Sequence, residues 1–149
     1  MIFVTFNILI YEVQFSNFIF SDNSHIVVGT EDGEIFIWNI KEKVLHKKFN
    51  VHKSTVRAIS YSPDGLKLVS CSTDKTFNIL DIETGMTLYS KLIDSRLCCL
   101  KWCDFMLLFG DEEGVLHVWD IVEVKFMYSK KLHSGNYSAT TSNVTVVMG

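Results

Sequence analysis

Cys98, Cys99, Cys103 and His117 are the residues most readily written as a metal set. Structural zinc takes four tetrahedral ligands, usually with a close Cys-x-x-Cys pair. Cys98 and Cys99 are adjacent, and neighbours on a strand point to opposite faces. Together with Cys71 they read as buried, reduced thiols. Gly110-Asp-Glu-Glu-Gly114 carries the acids of a cation loop, but its place between two apolar runs makes it a tight turn. His52 and His133 each follow an isoleucine, Ile40 and Ile121, by 12 residues. Recurrence at a fixed place argues for a structural use over catalysis. His25, His46 and His117 show no recurrence. The motifs Gly-x-Ser-x-Gly, P-loop, His-Glu-x-x-His and Gly-x-Gly-x-x-Gly are absent from the sequence. No enzymatic activity, metal, cofactor or small-molecule substrate is therefore expected. Triplets at Asn136 and Asn143 match the glycosylation pattern and, without a secretory signal, read as accidents.

Composition narrows the classes further. The 149 residues are 48% hydrophobic and 21% charged, which excludes intrinsic disorder. One Pro and eight Gly exclude collagen-like or low-complexity structure. A net charge of −3 carries no global footprint for nucleic acid. The apolar first eleven residues lack the cationic start of a signal peptide, since the first Lys or Arg is Lys41. They also fall short of the ~20 residues that span a bilayer, so they read as a strand. Charge is uneven: residues 1–40 hold five acids and no Lys or Arg, whereas 41–57 hold six bases against Glu42.

Internal repetition organises the chain. EDGEIFIWNI from Glu31, TDKTFNILDI from Thr73 and EEGVLHVWDI from Glu112 align, with Ile40, Ile82 and Ile121 spaced by 42 and 39. Phe15, Phe18 and Phe20 match Val56, Ile59 and Tyr61, which match Leu97, Leu100 and Trp102, each step being 41. Within a unit the apolar period is two, as in Ile35/Ile37, Phe77/Ile79 and Leu116/Val118, and turn signals such as Ser62-Pro63-Asp64-Gly65 separate the runs. That pattern predicts an all-β chain of about 40-residue units with four antiparallel strands each. In the second unit the strands are expected near 55–61, 66–72, 76–82 and 86–93.

A 40–45 residue period with four strands and a Trp-Asp ending resembles the WD-repeat β-propeller family. Trp119-Asp120 is the family dipeptide, and Trp38-Asn39 and Leu80-Asp81 are half-matches. The fold class expected is an incomplete WD-repeat propeller filling 1–149, with repeats at about 13–52, 53–93 and 94–132 and part of a fourth at 133–149. Propellers close with roughly 4–8 blades. The sequence is therefore expected to be a fragment of a longer product or a half-ring completed by a partner. The resemblance implies a hydrogen-bonded set of His, Ser or Thr, Asp and Trp in each blade. His52, Asp74 and Ser70 or Ser72 supply it in the second unit; Thr30, Asp32 and Trp38 in the first; Trp119 in the third; and His133 opens a fourth. No unit has the full set.

Arg57-Ala58, Thr73-Asp74-Lys75, Ile79-Leu80-Asp81 and Gly110-Asp111 look like the WD repeat-containing protein 55 family, which is nucleolar and associated with ribosomal RNA production and large-subunit assembly. The resemblance implies a non-catalytic scaffold whose loops bind other proteins, among them pre-ribosomal particles, in the nucleus or nucleolus or else the cytoplasm, with no membrane and no secretion. Lys53, Arg57, Lys47 and Lys48 are the candidate partner contacts. Two alternatives are RNA contact through the Lys41–Arg57 basic run and a substrate receptor of a cullin-type ubiquitin ligase. The latter is disfavoured because Lys41, Glu83 and Val122 stand where such receptors carry Arg.

Overall fold

The computed structural model describes residues 15–20, as backbone, and 24–132. Twelve strands account for most of them: β1 (Phe15–Phe20), β2 (His25–Thr30), β3 (Glu34–Asn39), β4 (Val44–Asn50), β5 (Val56–Tyr61), β6 (Lys67–Ser72), β7 (Thr76–Asp81), β8 (Thr87–Leu92), β9 (Leu97–Cys103), β10 (Met106–Asp111), β11 (Val115–Asp120) and β12 (Lys125–Lys131). They form three antiparallel four-stranded sheets, each with its strands in chain order. The fold is that of an incomplete β-propeller with three blades among the described residues.

Strand formation follows from local chemistry. β-branched and aromatic side chains crowd β3, β7 and β11, where they suit a pleated, half-buried surface. The turns carry residues that tolerate φ > 0: Gly33, Gly65, Gly85 and Gly114 all lie between 73° and 87°. Each sheet also repeats a β-bulge at one place, between Ile37/Trp38, Ile79/Leu80 and Val118/Trp119. A bulge bends its strand and raises its twist.

Alternation gives the middle sheet two buried faces. In the second sheet, Leu68, Ser70, Ser72, Asn78 and Leu80 face the first sheet, whereas Val69, Cys71, Phe77 and Ile79 face the third. The first interface is aliphatic: Val27, Ile35 and Ile37 pack with Val56, Ile59, Leu68 and Leu80. The second is aromatic: Phe77 and Cys71 meet Leu97, Trp102, Leu107, Phe109 and Trp119. Gly29 permits the close approach of the first pair of sheets, because a Cβ there would lie 2.6 Å from Val56 Cγ1. The outer strands β4, β8 and β12 are largely exposed.

Candidate functional site

The polar groups of the second sheet converge at its interface with the first. His52 lies in the β4–β5 link, and backbone bonds to the β2–β3 turn fix it, its amide donating to Gly33 O at 3.0 Å. That turn needs glycine: φ at Gly33 is +87°, and a Cβ would sit 2.3 Å from His52 O. The imidazole is then held at both ring nitrogens, with Thr76 Oγ1 also 3.0 Å from Nδ1. Nδ1 donates to Asp74 Oδ2 at 3.1 Å, and Nε2 accepts from Ser70 Oγ at 2.8 Å. The carboxylate beside Nδ1 selects this tautomer. Asp74 is tied down in turn, accepting from the Lys53 amide at 2.9 Å and from the Thr76 amide and hydroxyl at 2.8 and 2.6 Å. Asn78 places its amide 3.2 Å from His52 Nδ1 and 3.3 Å from Thr76 Oγ1.

Burial sets the charge states. Desolvation pulls the His52 pKa below its usual value, and Asp74 counters this only in part. For Asp74, burial acts upward, but the hydrogen bonds from Thr76 and the Lys53 amide outweigh it and hold the carboxyl below its usual range. A neutral imidazole beside an ionised carboxylate results.

Ser70, His52 and Asp74 thus have the connectivity of an acyl-transfer triad, with serine on one imidazole nitrogen and carboxylate on the other. Accessibility decides the chemistry. Ser70 is 0% exposed, sealed between two sheets. No substrate carbonyl reaches Oγ without opening that interface. The arrangement satisfies buried polar groups and rigidifies the link between sheets.

The other sheets treat the same positions differently. Thr30 joins no histidine among the described residues; its hydroxyl accepts the Glu34 amide at 3.0 Å and closes the β2–β3 turn. Asp32 is exposed, and Trp38 is half-buried on β3. Trp119 is buried against Phe77 and Phe126, with ring centroids 5.2 and 5.9 Å apart, and its indole Nε1 has no hydrogen-bond partner among the described residues. His133 lies outside the described residues. Between the two candidates Ser70 and Ser72, it is Ser70 that meets His52; Ser72 Oγ donates to Ser54 O.

Sequence reasoning missed three participants. Asn78 stands one alternation before Leu80, where the expected Trp is absent. In the third sheet, Asp111 is 1% exposed and its Oδ2 accepts from His117 Nε2 at 2.7 Å, while Oδ1 accepts the Glu113 and Val115 amides. Burial pushes Asp111 upward, but the His117 bond and the Val115 amide prevail and lower its pKa. A signal existed: Phe36, Asn78 and His117 share one repeat position, so a polar residue there breaks the apolar period.

Among the described residues, no cluster of three or more potential metal ligands includes the cysteines. Cys71 and Cys98 are buried thiols, and desolvation raises both, Cys98 to about 11.

The basic run does not form one patch. Lys41 and Lys43 lie in the turn before β4 and Lys53 in the loop after it. Seven residues of strand, roughly 20 Å, separate them at about 3.3 Å per residue. Lys47 is a staple between sheets, its amine donating to Ile82 O at 2.7 Å and Glu83 O at 2.9 Å. Lys48 pairs with Glu34 at 2.8 Å and lies over the Phe36 ring. Lys53 is exposed, and Arg57 sits half-buried at the start of β5.

Comparison with known proteins agrees with this architecture. Residues 18–105 match the family model described as the anaphase-promoting complex subunit 4 WD40 domain. A WD repeat-containing protein 55 homolog of Dictyostelium discoideum is 28% identical over 88% of this chain and 34% of its own length. A Drosophila willistoni homolog of the same protein is 30% identical over 73% of this chain and 24% of its own. A p21-activated protein kinase-interacting protein 1-like protein of Xenopus laevis is 30% identical over 70% of this chain and 28% of its own. The chain thus spans about a quarter to a third of these relatives. A solved structure entitled "Structure of U3-55K" superposes with a TM-score of 0.76 at 17% identity, over 85% of this chain and 42% of the other.

Proposed function

We propose a function from the premise that this chain belongs to the WD40-repeat family: it serves as a non-catalytic scaffold that binds other proteins. The observation that carries the reading is the burial of the Ser70–His52–Asp74 constellation. Its polar chemistry is consumed in holding two blades together, while the loops at both rims stay exposed. Loops on a rigid frame are where binding residues concentrate. Lys53 and Arg57, near the entry of β5, are the contact residues we assign to one rim.

The resemblance to WD repeat-containing protein 55 homologues supports a finer reading: a place in ribosomal RNA processing and large-subunit assembly, with residence in the nucleolus. Affinity capture of the tagged chain, followed by gradient sedimentation, tests it. Co-sedimentation with large-subunit precursors, and accumulation of precursor rRNA on depletion, are the expected results. A chain absent from those fractions whose depletion leaves rRNA unchanged overturns the ribosomal assignment.

A further inference from the structure

The rim opposite His52 holds a cleft of about 410 Å³ between the first and second blades. Its walls are Ile37, Ile82 and Pro63; its rings are His25, His46 and Tyr61; its carboxylate is Asp64. The volume lies near the low end for ligand sites, which suits one side chain better than a cofactor. Asp64 is fixed by its own turn, Oδ1 accepting from Ser62 Oγ and from the Leu66 amide. Those two bonds, Ser62 first, keep its pKa below the usual range. Among the described residues Oδ2 pairs with Lys67 Nζ at 3.8 Å, and half of the Asp64 side chain is exposed. The neighbouring cation Lys47 is committed to Ile82 O, Glu83 O and the Glu83 carboxylate.

The cleft continues into an apolar edge. The Ile82 amide donates to Leu66 O at 3.1 Å, and the Asp81 amide to Met86 O at 2.9 Å. These bonds hold Leu66, 62% exposed, and Met86, 64% exposed, beside the cleft mouth. Phe105 and Val122 are 70% and 71% exposed on the matching turns of the third blade. The corresponding turn of the first blade carries Lys41, Glu42 and Lys43 instead.

We propose that this cleft receives an arginine side chain of a partner protein, with the partner's flanking apolar residues resting on Leu66 and Met86. A guanidinium is planar: it stacks on the imidazole and phenol rings while its fork faces Asp64 Oδ2. The stem lies along Ile37, Ile82 and Pro63. A lysine ammonium would gain the charge contact without the stacking.

The inference rests on the scaffold reading, and its test is kept separate from partner capture. The probe is acetyl-Leu-Arg-Leu-amide titrated into the full chain, with His25, His46 and Met86 followed by NMR. Saturable shifts of all three are expected. Replacing the probe's arginine by citrulline, or the protein's Asp64 by Asn, weakens binding at least about fivefold. Asp64→Asn keeps the Oδ1 acceptor and so preserves the turn. His46→Ala, at an exposed position, also weakens the probe. Equal binding of citrulline, shifts unchanged in Asp64→Asn, or a response of the two histidines to zinc ion but not to the peptide overturns the proposal. If the peptide fails while cellular partners are still captured, the cleft assignment falls and the scaffold stands. If both fail, both fall.

Discussion

The two blade interfaces use the same repeat positions and solve burial in different ways. Between the first and second blades, a polar set of Ser70, His52, Asp74 and Asn78 is embedded among aliphatic side chains. Between the second and third, aromatic rings fill the space, with Phe77 and Phe109 centroids 4.5 Å apart. The exchange is register for register: Phe109 stands 39 residues after Ser70 and Trp119 39 after Leu80. The third blade keeps an imidazole–carboxylate pair, but moves it. His117 sits 39 after Asn78, and Asp111 39 after Ser72, so the pair shifts into the strands. The repeat therefore conserves a requirement, satisfied polar groups beneath apolar strands, and not a fixed set of residues.

The sharpest way to break this comparison is at the aromatic side. Phe109→Ala removes a fully buried ring and is expected to cost about 3–5 kcal/mol in urea unfolding. Phe109→Thr sharpens it, because position 109 is the repeat equivalent of Ser70 and a hydroxyl there tests whether the unpartnered Trp119 N–H can be satisfied. Packing lost from the ring should still dominate, leaving the variant about 2 kcal/mol or more below wild type. A Thr variant more stable than wild type would show that the orphaned indole governs this interface.

On the polar side the expected effects are smaller. His52→Ala takes the acceptor from buried Ser70 and one of several donors from Asp74, and should lose about 2–3 kcal/mol. Asn78→Ala, at the edge of the network, should lose about 1 kcal/mol, measured the same way. Lys47→Met keeps the stem but removes the staple to Ile82 O and Glu83 O, again about 1 kcal/mol. Lys48→Ala, an exposed pair with Glu34, should change stability by less than about 0.5 kcal/mol.

Much of the fold was legible in the sequence because strand alternation and a 41-residue step are both periodic signals. Strands expected at 55–61 and 66–72 appear as Val56–Tyr61 and Lys67–Ser72. Spacing marked His52 and Asp74 as recurring positions, and the resemblance to WD-repeat blades implied that they pair, as the 3.1 Å contact between Nδ1 and Oδ2 shows. Thr30 was misread because it lies one alternation past the position equivalent to Ser70, which Val28 occupies. Asp111 and His117 were missed because a template of fixed positions hides a pair that has moved along the strands. The basic run lies along β4, the turn before it and the loop after it, as its place in the repeat implied, and its use as a contact surface is a proposal.

The central claim is that the buried Ser–His–Asp constellation holds blades together. The most direct test compares urea unfolding of the full chain and His52→Ala between pH 8 and pH 5. The folded-state pKa of His52 is lowered from 6.5, so below that value the unfolded chain binds the extra proton first. Wild type should lose stability as pH falls through about 6.5, and Asp74 adds a further loss at lower pH as its carboxyl protonates. The variant should start lower at pH 8 and lack the His52 share of the slope, so the two curves converge toward acid. Equal stability at pH 8, or parallel curves down to pH 5, would contradict the account.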